Sequence, residues 1–216
     1  MARLAFVGGT GPEGIGLAMR FAKSGNAVFI GSRSEERAAE AVAKILQAVP
    51  EGEIYGGFNH EGAEKADIVF ITVPASGHAE ILTELAEVID DRIVVDTVVP
   101  MVFEKEGPRP VMPDAGSAAE EARDLLPKAK VVSAFQHLDA AALQRVDKPM
   151  QGDVVVCGDN KPAKKKVMSL VEEIEYVRAL DGGPLMNSRI TEQITCLLIH
   201  INKIYKSHSG IRITGI

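Results

Sequence analysis

The 216 residues predict an α/β protein, a parallel sheet with helices on both faces. Three observations carry this. Short apolar segments alternate with helical stretches of about 10–20 residues, as in chains of βαβ units. The apolar segments are near-continuous, as strands covered on both sides are. A glycine-rich turn joins the first segment to the first helix.

The elements follow in order. Residues 4–7 form a strand that runs into Gly8-Gly9-Thr10-Gly11-Pro12-Glu13-Gly14 and a helix over 15–23, stopped by Ser24-Gly25-Asn26. A second strand covers 27–30 and is followed by Gly31-Ser32-Arg33. Ser34 is an N-cap, and Glu35 and Glu36 suit the positive first turn of an Ala-rich helix that stops at Pro50-Glu51-Gly52. Residues 68–73 are a buried strand closed by Pro74, 79–89 have helical spacing, and 93–96 are a strand ending near Pro100. The proline-rich stretch 103–113 is a loop. Ser117-Ala118-Ala119-Glu120 is a capping box opening a helix that ends near Pro127. Residues 130–135 and 153–157 are strands, and 161–173 and 185–206 are helices. The longest polar loop, Pro149-Met150-Gln151-Gly152, divides a domain over 1–150 from a small C-terminal domain over 151–216, one strand plus helices.

Composition excludes several classes. With 46% hydrophobic and 25% charged residues the chain is an ordinary globular one. Its net charge of −6 gives no broad attraction to nucleic acid. No apolar run approaches the ~20 residues that cross a bilayer, so no membrane partner is expected. The glycine loop begins at Gly8, which leaves no room for a signal peptide; a cytoplasmic location is expected. Cys157 and Cys196 fit no metal or redox spacing and are expected as buried thiols, and no metal site is expected.

Gly9-Thr10-Gly11-Pro12-Glu13-Gly14 fits G-x-G-x-x-G in the context that gives the pattern meaning, after a strand and opening a helix. Gly9 permits the tight turn, Gly11 lets backbone N–H groups approach a pyrophosphate, and Gly14 lets helix pack on strand. Pro12 costs nothing in a first turn whose N–H groups lack helical acceptors. The competing reading is a merely tight turn. With the dinucleotide reading, the fold is a Rossmann-type doubly wound sheet. At the second strand tip an NAD reader carries Asp or Glu. Here stand Ser32 and Arg33, with Arg37 one turn on. Arginine donates to a 2′-phosphate, bidentately where geometry allows, so NADP(H) is predicted over NAD(H). The alternative is that Arg33 and Arg37 are solvated charges answering Glu35 and Glu36.

Ligands of such sheets lie outside the carboxyl ends of the strands. That brings Val73, Pro74, His78, Pro100, Gln136, His137 and Leu138 into consideration. The competing reading of His78 is a surface histidine, and that of His137 is a satisfied structural one. No Tyr-x-x-x-Lys pair follows Tyr55, Tyr176 or Tyr205, and there is no triad. A hydride carrier without an obvious proton donor fits hydride transfer to a second redox cofactor; His137 is the one candidate acid.

These residues resemble the NADPH:coenzyme F420 oxidoreductases, or F420-dependent NADP reductases. The resemblance rests on Gly8–Gly11, Ile30-Gly31-Ser32-Arg33, Val131–Ala134, Val156–Asp159 and, most specifically, Asp181-Gly182-Gly183-Pro184-Leu185-Met186-Asn187-Ser188-Arg189. It implies hydride exchange between nicotinamide C4 and deazaflavin C5, with coenzyme F420 as co-substrate, and a homo-oligomer, expected as a homodimer. It further implies that Thr10 to Glu13 line the pyrophosphate turn and that Ser32, Arg33 and Arg37 hold the 2′-phosphate. Val73, Pro74 and Ala140 would flank the nicotinamide, and Pro100, Gln136, His137 and Leu138 would shape the deazaflavin pocket. Asp139 departs from an easy fit, adding negative charge beside an anionic ligand. Two alternatives stay open: a reductase of a small imine or carbonyl, with His137 as proton donor, and an NADP(H)-sensing module without turnover.

Overall fold

A computed structural model describes residues 1–216. In chain order it contains β1 (Arg3–Val7), α1 (Pro12–Lys23), β2 (Ala27–Ser32), α2 (Glu35–Ala48), β3 (Ile54–Phe58), α3 (Asn59–Lys65), β4 (Ile68–Ile71), α4 (His78–Ile89) and β5 (Ile93–Asp96). A hairpin follows, β6 (Met101–Phe103) and β7 (Pro108–Pro110). Then come α5 (Ala118–Leu125), β8 (Lys130–Ser133), α6 (Ala140–Gln144), β9 (Gly152–Gly158), α7 (Lys161–Val171), β10 (Val177–Asp181) and α8 (Ser188–Tyr205).

Eight strands form one sheet in the order β10-β9-β8-β5-β4-β1-β2-β3. All neighbours are parallel except β8 and β9. The doubly wound fold expected from the sequence is therefore present. Its chain order reverses between β1 and β4, which opens a crevice at their carboxyl ends. The period of two in each strand splits the core between the two faces. Leu4 and Phe6 of β1 join a cluster with Ile15 and Phe21 of α1, Ile45 of α2 and Val167 of α7. Ala5 and Val7 join the opposite cluster with Ala63, Leu82, Leu85 and Ala119 of α3, α4 and α5. Phe6, Phe21, Phe70 and Phe135 pack ring on ring beneath the crevice, Phe6 and Phe70 with centroids 4.7 Å apart.

Several elements carry little sequence signal. β3 (IYGGF) holds two glycines, and α3 is seven residues long. Pairing with β2 makes the first a strand, and packing on the sheet makes the second a helix. The 103–113 loop contains β7 and is braced by the β6–β7 hairpin. The stretch after Gly152 builds no sheet of its own, since β9 and β10 extend the common one. Lys164 is buried, and its ammonium is held by Asp181 and the Gly183 carbonyl. Cys157 and Cys196 are both buried and free. No helix is long and apolar enough to cross a membrane.

Candidate active site

Two cavities lie along the crevice. The first, about 630 Å³, is lined by Gly8, Thr10, Gly11, Pro12 and Glu13 of the glycine turn, by Ser32, Arg33 and Arg37, and by Asn59, Thr72, Val73 and Pro74. The α4 side adds Ser76, Gly77, Glu80, Ile81 and Glu84. The second, about 380 Å³, shares Glu13, Thr72, Val73 and Pro74 with it. It continues over Thr97, Val98, Val99 and Met101, the 136–140 segment, and Thr195, Leu198, Ile199 and Asn202 of α8.

The glycine turn is shaped by contacts that leave no room for side chains. Gly8 has φ +68°, and a Cβ there would stand 2.5 Å from Val73 Cγ1. A Cβ on Gly9 would lie 2.8 Å from the Phe6 carbonyl oxygen, and one on Gly14 would lie 2.7 Å from Gly9 Cα. At Gly11 a Cβ would meet open space, so that glycine leaves the approach to the backbone clear. Helical bonding starts with Ile15 N–H donating to Gly11 O at 2.9 Å. The preceding N–H groups at the α1 N-terminus thus face the first cavity without helical acceptors, at the positive end of the helix dipole.

The strand tip adds a wall that carries Ser32, Arg33 and Arg37. Ser34 caps α2 by accepting from Arg37 N–H, and the Arg37 guanidinium donates to Thr10 Oγ1 at 3.3 Å across the cavity. Ser32 is buried, its Oγ accepting from Ser34 N–H at 3.2 Å. Arg33 lines the same wall. Asn59, at the start of α3, was not anticipated. Its Oδ1 accepts from Gly8 N–H at 3.0 Å and stands against Gly31, locking the turn to the β2 tip. No local motif marks this residue; only the fold brings it there.

The second cavity is assembled from distant segments. Arg20, buried on α1, donates to the carbonyls of Ala142, Leu143, Arg145 and Lys148 and so fastens α6 to α1. Asp139 caps α6 by accepting from Ala142 N–H at 2.7 Å. Thr195 of α8 donates to the Gln136 carbonyl at 2.7 Å. Gln136 donates to Asp96 O and Ser133 Oγ. Its Oε1 has no partner, and neither do His137 Nδ1 and Glu13 Oε1. These three are the only buried side-chain polar atoms without a partner, and all three belong to residues lining this cavity.

His137 bonds the Asp153 carbonyl through Nε2 at 2.9 Å, which leaves Nδ1 as an acceptor. Burial holds its pKa below the ordinary histidine value, so the neutral ring is a poor acid. Glu13 is pushed up to about 8, first by burial and then by the Asp139 charge.

Two expected residues are placed otherwise. His78 lines neither cavity and is not at the surface. It is buried, with Nε2 on Asp96 at 2.7 Å and Nδ1 on Glu121 at 2.6 Å. Burial opposes its charge, but the two carboxylates outweigh it and raise it to about 9. It sits at the start of α4, where the chain turns inward after the exposed Ala75–Gly77 turn. Pro100 also does not line the second cavity. Val99 and Met101 on either side do, while the Pro100 carbonyl accepts from Val111 N–H. Leu138 and Ala140 line it.

Comparison with known proteins decides the family. The chain is 40% identical over 221 residues to the F420-dependent NADP reductase of Methanocaldococcus jannaschii, covering 99% of both chains. The chain belongs to the F420-dependent NADP reductase family. A second member, from Methanothermobacter thermautotrophicus, is 37% identical, with 99% of this chain and 95% of that protein covered. The family model described as "NADP oxidoreductase coenzyme F420-dependent" matches residues 3–100 of this family member. Its fold is similar to a crystal structure of a putative F420-dependent NADP reductase from Arthrobacter sp. FB24, with TM-score 0.84, 23% identity and full coverage of both chains.

Proposed function

We propose that the protein transfers a hydride directly between NADP(H), held in the first cavity, and the deazaflavin coenzyme F420, held in the second. The observation that carries this reading is the shared wall of Glu13, Thr72, Val73 and Pro74, which joins a donor-rich cavity to a less polar one. The relatives named above are F420-dependent NADP reductases.

The residues fit the nucleotide. Thr10, Gly11 and the α1 N-terminus offer N–H groups to the pyrophosphate, and Ser32, Arg33 and Arg37 offer donors to the 2′-phosphate. Val73, Pro74 and Ala140 border the nicotinamide end. Gln136, His137 and Leu138 border the deazaflavin with the α8 residues. The coenzymes supply the redox chemistry when bound. The chain's contribution is to orient the two rings with reacting carbons at ~3–3.5 Å and to keep water out. No side chain needs to act as a proton donor at the hydride path, and neutral His137 is disfavoured for the small-imine or carbonyl alternative.

Residues 151–216 serve packing and pairing of subunits in this reading. Ile190, Leu197 and Ile204 recur every seventh residue on α8 and are exposed, as is Phe103. We propose that this row pairs two copies as a homodimer; sedimentation of Leu197→Asp as a monomer beside a dimeric parent tests it. Free buried Cys157 and Cys196 agree with a reducing cytoplasm.

The function is tested by mixing protein, NADPH and coenzyme F420 and following absorbance near 420 nm, with NADH as control. Loss with NADPH and much less with NADH is expected. No loss despite demonstrated NADPH binding discards the deazaflavin.

A further inference from the structure

We infer that Glu13 takes part in NADP(H) binding as a neutral carboxylic acid, so that binding consumes one proton at this residue whenever its carboxylate is ionised. The inference rests on the first cavity being the NADP(H) site, as proposed above.

Glu13 follows Pro12 in the first turn of α1, where a pyrophosphate must approach free N–H groups. It lines both cavities. Its Oε1 is fully enclosed and has no hydrogen-bond partner. A carboxylate in that place would face the anionic pyrophosphate across a partly dehydrated gap, where screening is weak. A carboxylic acid there does the opposite. Its O–H donates to a phosphate or carboxamide oxygen, and its repulsion is gone. Binding of the anion therefore selects the protonated form, and the balance is simple: one carboxylate plus one solvent proton gives one bound carboxylic acid.

The surroundings agree. From the 136–140 segment come Asp139, whose charge disfavours ionisation of Glu13, and neutral His137. Asp139 is in turn paired with His208 at 3.0 Å. From the α2 side come Arg33 and Arg37, and Arg37 is turned toward Thr10. From α4 come Glu80 and Glu84, both exposed. The α8 residues lining the shared end, Thr195, Leu198, Ile199 and Asn202, carry no charge. No cation contacts the Glu13 carboxyl to hold it ionised. Its midpoint in the free protein, about 8, puts the transition within easy reach of experiment.

The test is NADPH binding to the free protein, read by the coenzyme's own fluorescence, from pH 7 to 9.5. The 2′-phosphate is already ionised throughout this range, with a second pKa of about 6. If only the acid form binds, Kd rises about 30-fold between those limits. The Kd of Glu13→Gln should instead change by no more than about twofold between pH 7 and 9.5. Asp139→Asn, which keeps the α6 cap, should move the midpoint to lower pH. Calorimetry of the unmodified protein at pH 8.5, in two buffers of different ionisation enthalpy, should show uptake of about three-quarters of a proton.

A flat Kd with no proton uptake overturns the inference. So does a Glu13→Gln protein that keeps the full pH dependence, which would move the titrating group elsewhere, for instance to Glu192. Absence of NADPH binding at every pH overturns the proposed function together with it, and so is distinguishable from failure of the inference alone.

Discussion

The two cavities solve different recognition problems with different parts of the chain. The first, in the proposed function, reads charge. Its donors are backbone N–H groups at the α1 N-terminus and the side chains of Ser32, Arg33 and Arg37, nearly all within one βαβ run. The second, in the proposed function, takes a ring. Its walls come from segments as far apart as Thr97, Gln136 and Asn202, and it presents unpaired acceptors on Gln136 and His137. An anion can be bound by a local device, because a helix end and a glycine turn carry their own dipoles. A flat, mostly apolar partner needs surfaces converging from long range, held by unseen braces. Here those braces are Arg20 under α6 and Thr195 on Gln136.

The harshest way to break the comparison is to damage what both cavities stand on. His78 opens α4, whose outer residues line the first cavity, and it bonds Asp96, which precedes Thr97 and Val98 of the second. His78→Ala strands a buried carboxylate and should cost about 3–5 kcal/mol. At this chain length that is a fall of roughly 6–20 °C in Tm. The sign with pH follows from the histidine's raised value of about 9 against an ordinary 6.5. Its stabilisation is fully present below pH 6.5 and is lost as pH rises through 9. Glu192, raised by burial to about 8, acts in the same direction. The parent's Tm should therefore drop from pH 6.5 to 9, and the variant should lose the histidine's share of that slope. A variant melting with the parent at pH 6.5 would show that His78 carries no such load.

A sharper cut separates the cavities. Gly14→Ala forces a Cβ to 2.7 Å from Gly9 Cα and 2.9 Å from Thr72 Oγ1. Overpacking of that kind costs about 1–3 kcal/mol. We expect NADPH affinity to fall by roughly 10- to 100-fold, while F420 binding to the free protein changes far less. Equal losses for both coenzymes would mean that the cavities are not separable.

The contrast also explains what could be read from sequence. β1, α1 and the β2 tip announce themselves because their signals are local: a buried strand, a G-x-G-x-x-G turn, Pro12 in the first helical turn, arginines where an acid would otherwise stand. Ser34 and Ser117 are likewise legible as caps, and both accept from the backbone N–H three residues on. Asn59 and Arg20 are not legible. One acts through a single oxygen on Gly8 and the other through four backbone carbonyls more than 120 residues away. His78 shows the same limit. Spacing places it beside a strand end, but only the packing of α4 against β5 and α5 turns it inward to Asp96 and Glu121. β3 and α3 were hidden because tertiary pairing overrides weak propensity in short, glycine-containing segments.

Within the first cavity, Arg33→Ala tests whether charge reading is confined to the 2′-phosphate. A charge-assisted hydrogen bond contributes about 1.5–3 kcal/mol, so NADPH should bind roughly 10- to 100-fold more weakly. NADH, which lacks that phosphate, should bind as before. Equal weakening of both would place Arg33 on the shared part of the nucleotide and return selectivity to Ser32 and Arg37.

The mildest perturbation concerns the second cavity and the nature of its recognition. His137 offers Nδ1 as an acceptor, because Nε2 is spent on the Asp153 carbonyl. His137→Ala removes one neutral hydrogen bond, worth about 1 kcal/mol. KM for F420 should rise about fivefold, with NADPH affinity unchanged. Burial holds the ring neutral, so kcat at saturation should show no limb near pH 6–7, in the parent or the variant. That flat profile distinguishes a residue that orients a ring from one that delivers a proton. A limb near pH 6.5 in the parent that vanishes in His137→Ala would make the histidine an acid. The second cavity would then be a site of proton transfer, and its difference from the first would be one of chemistry as well as shape.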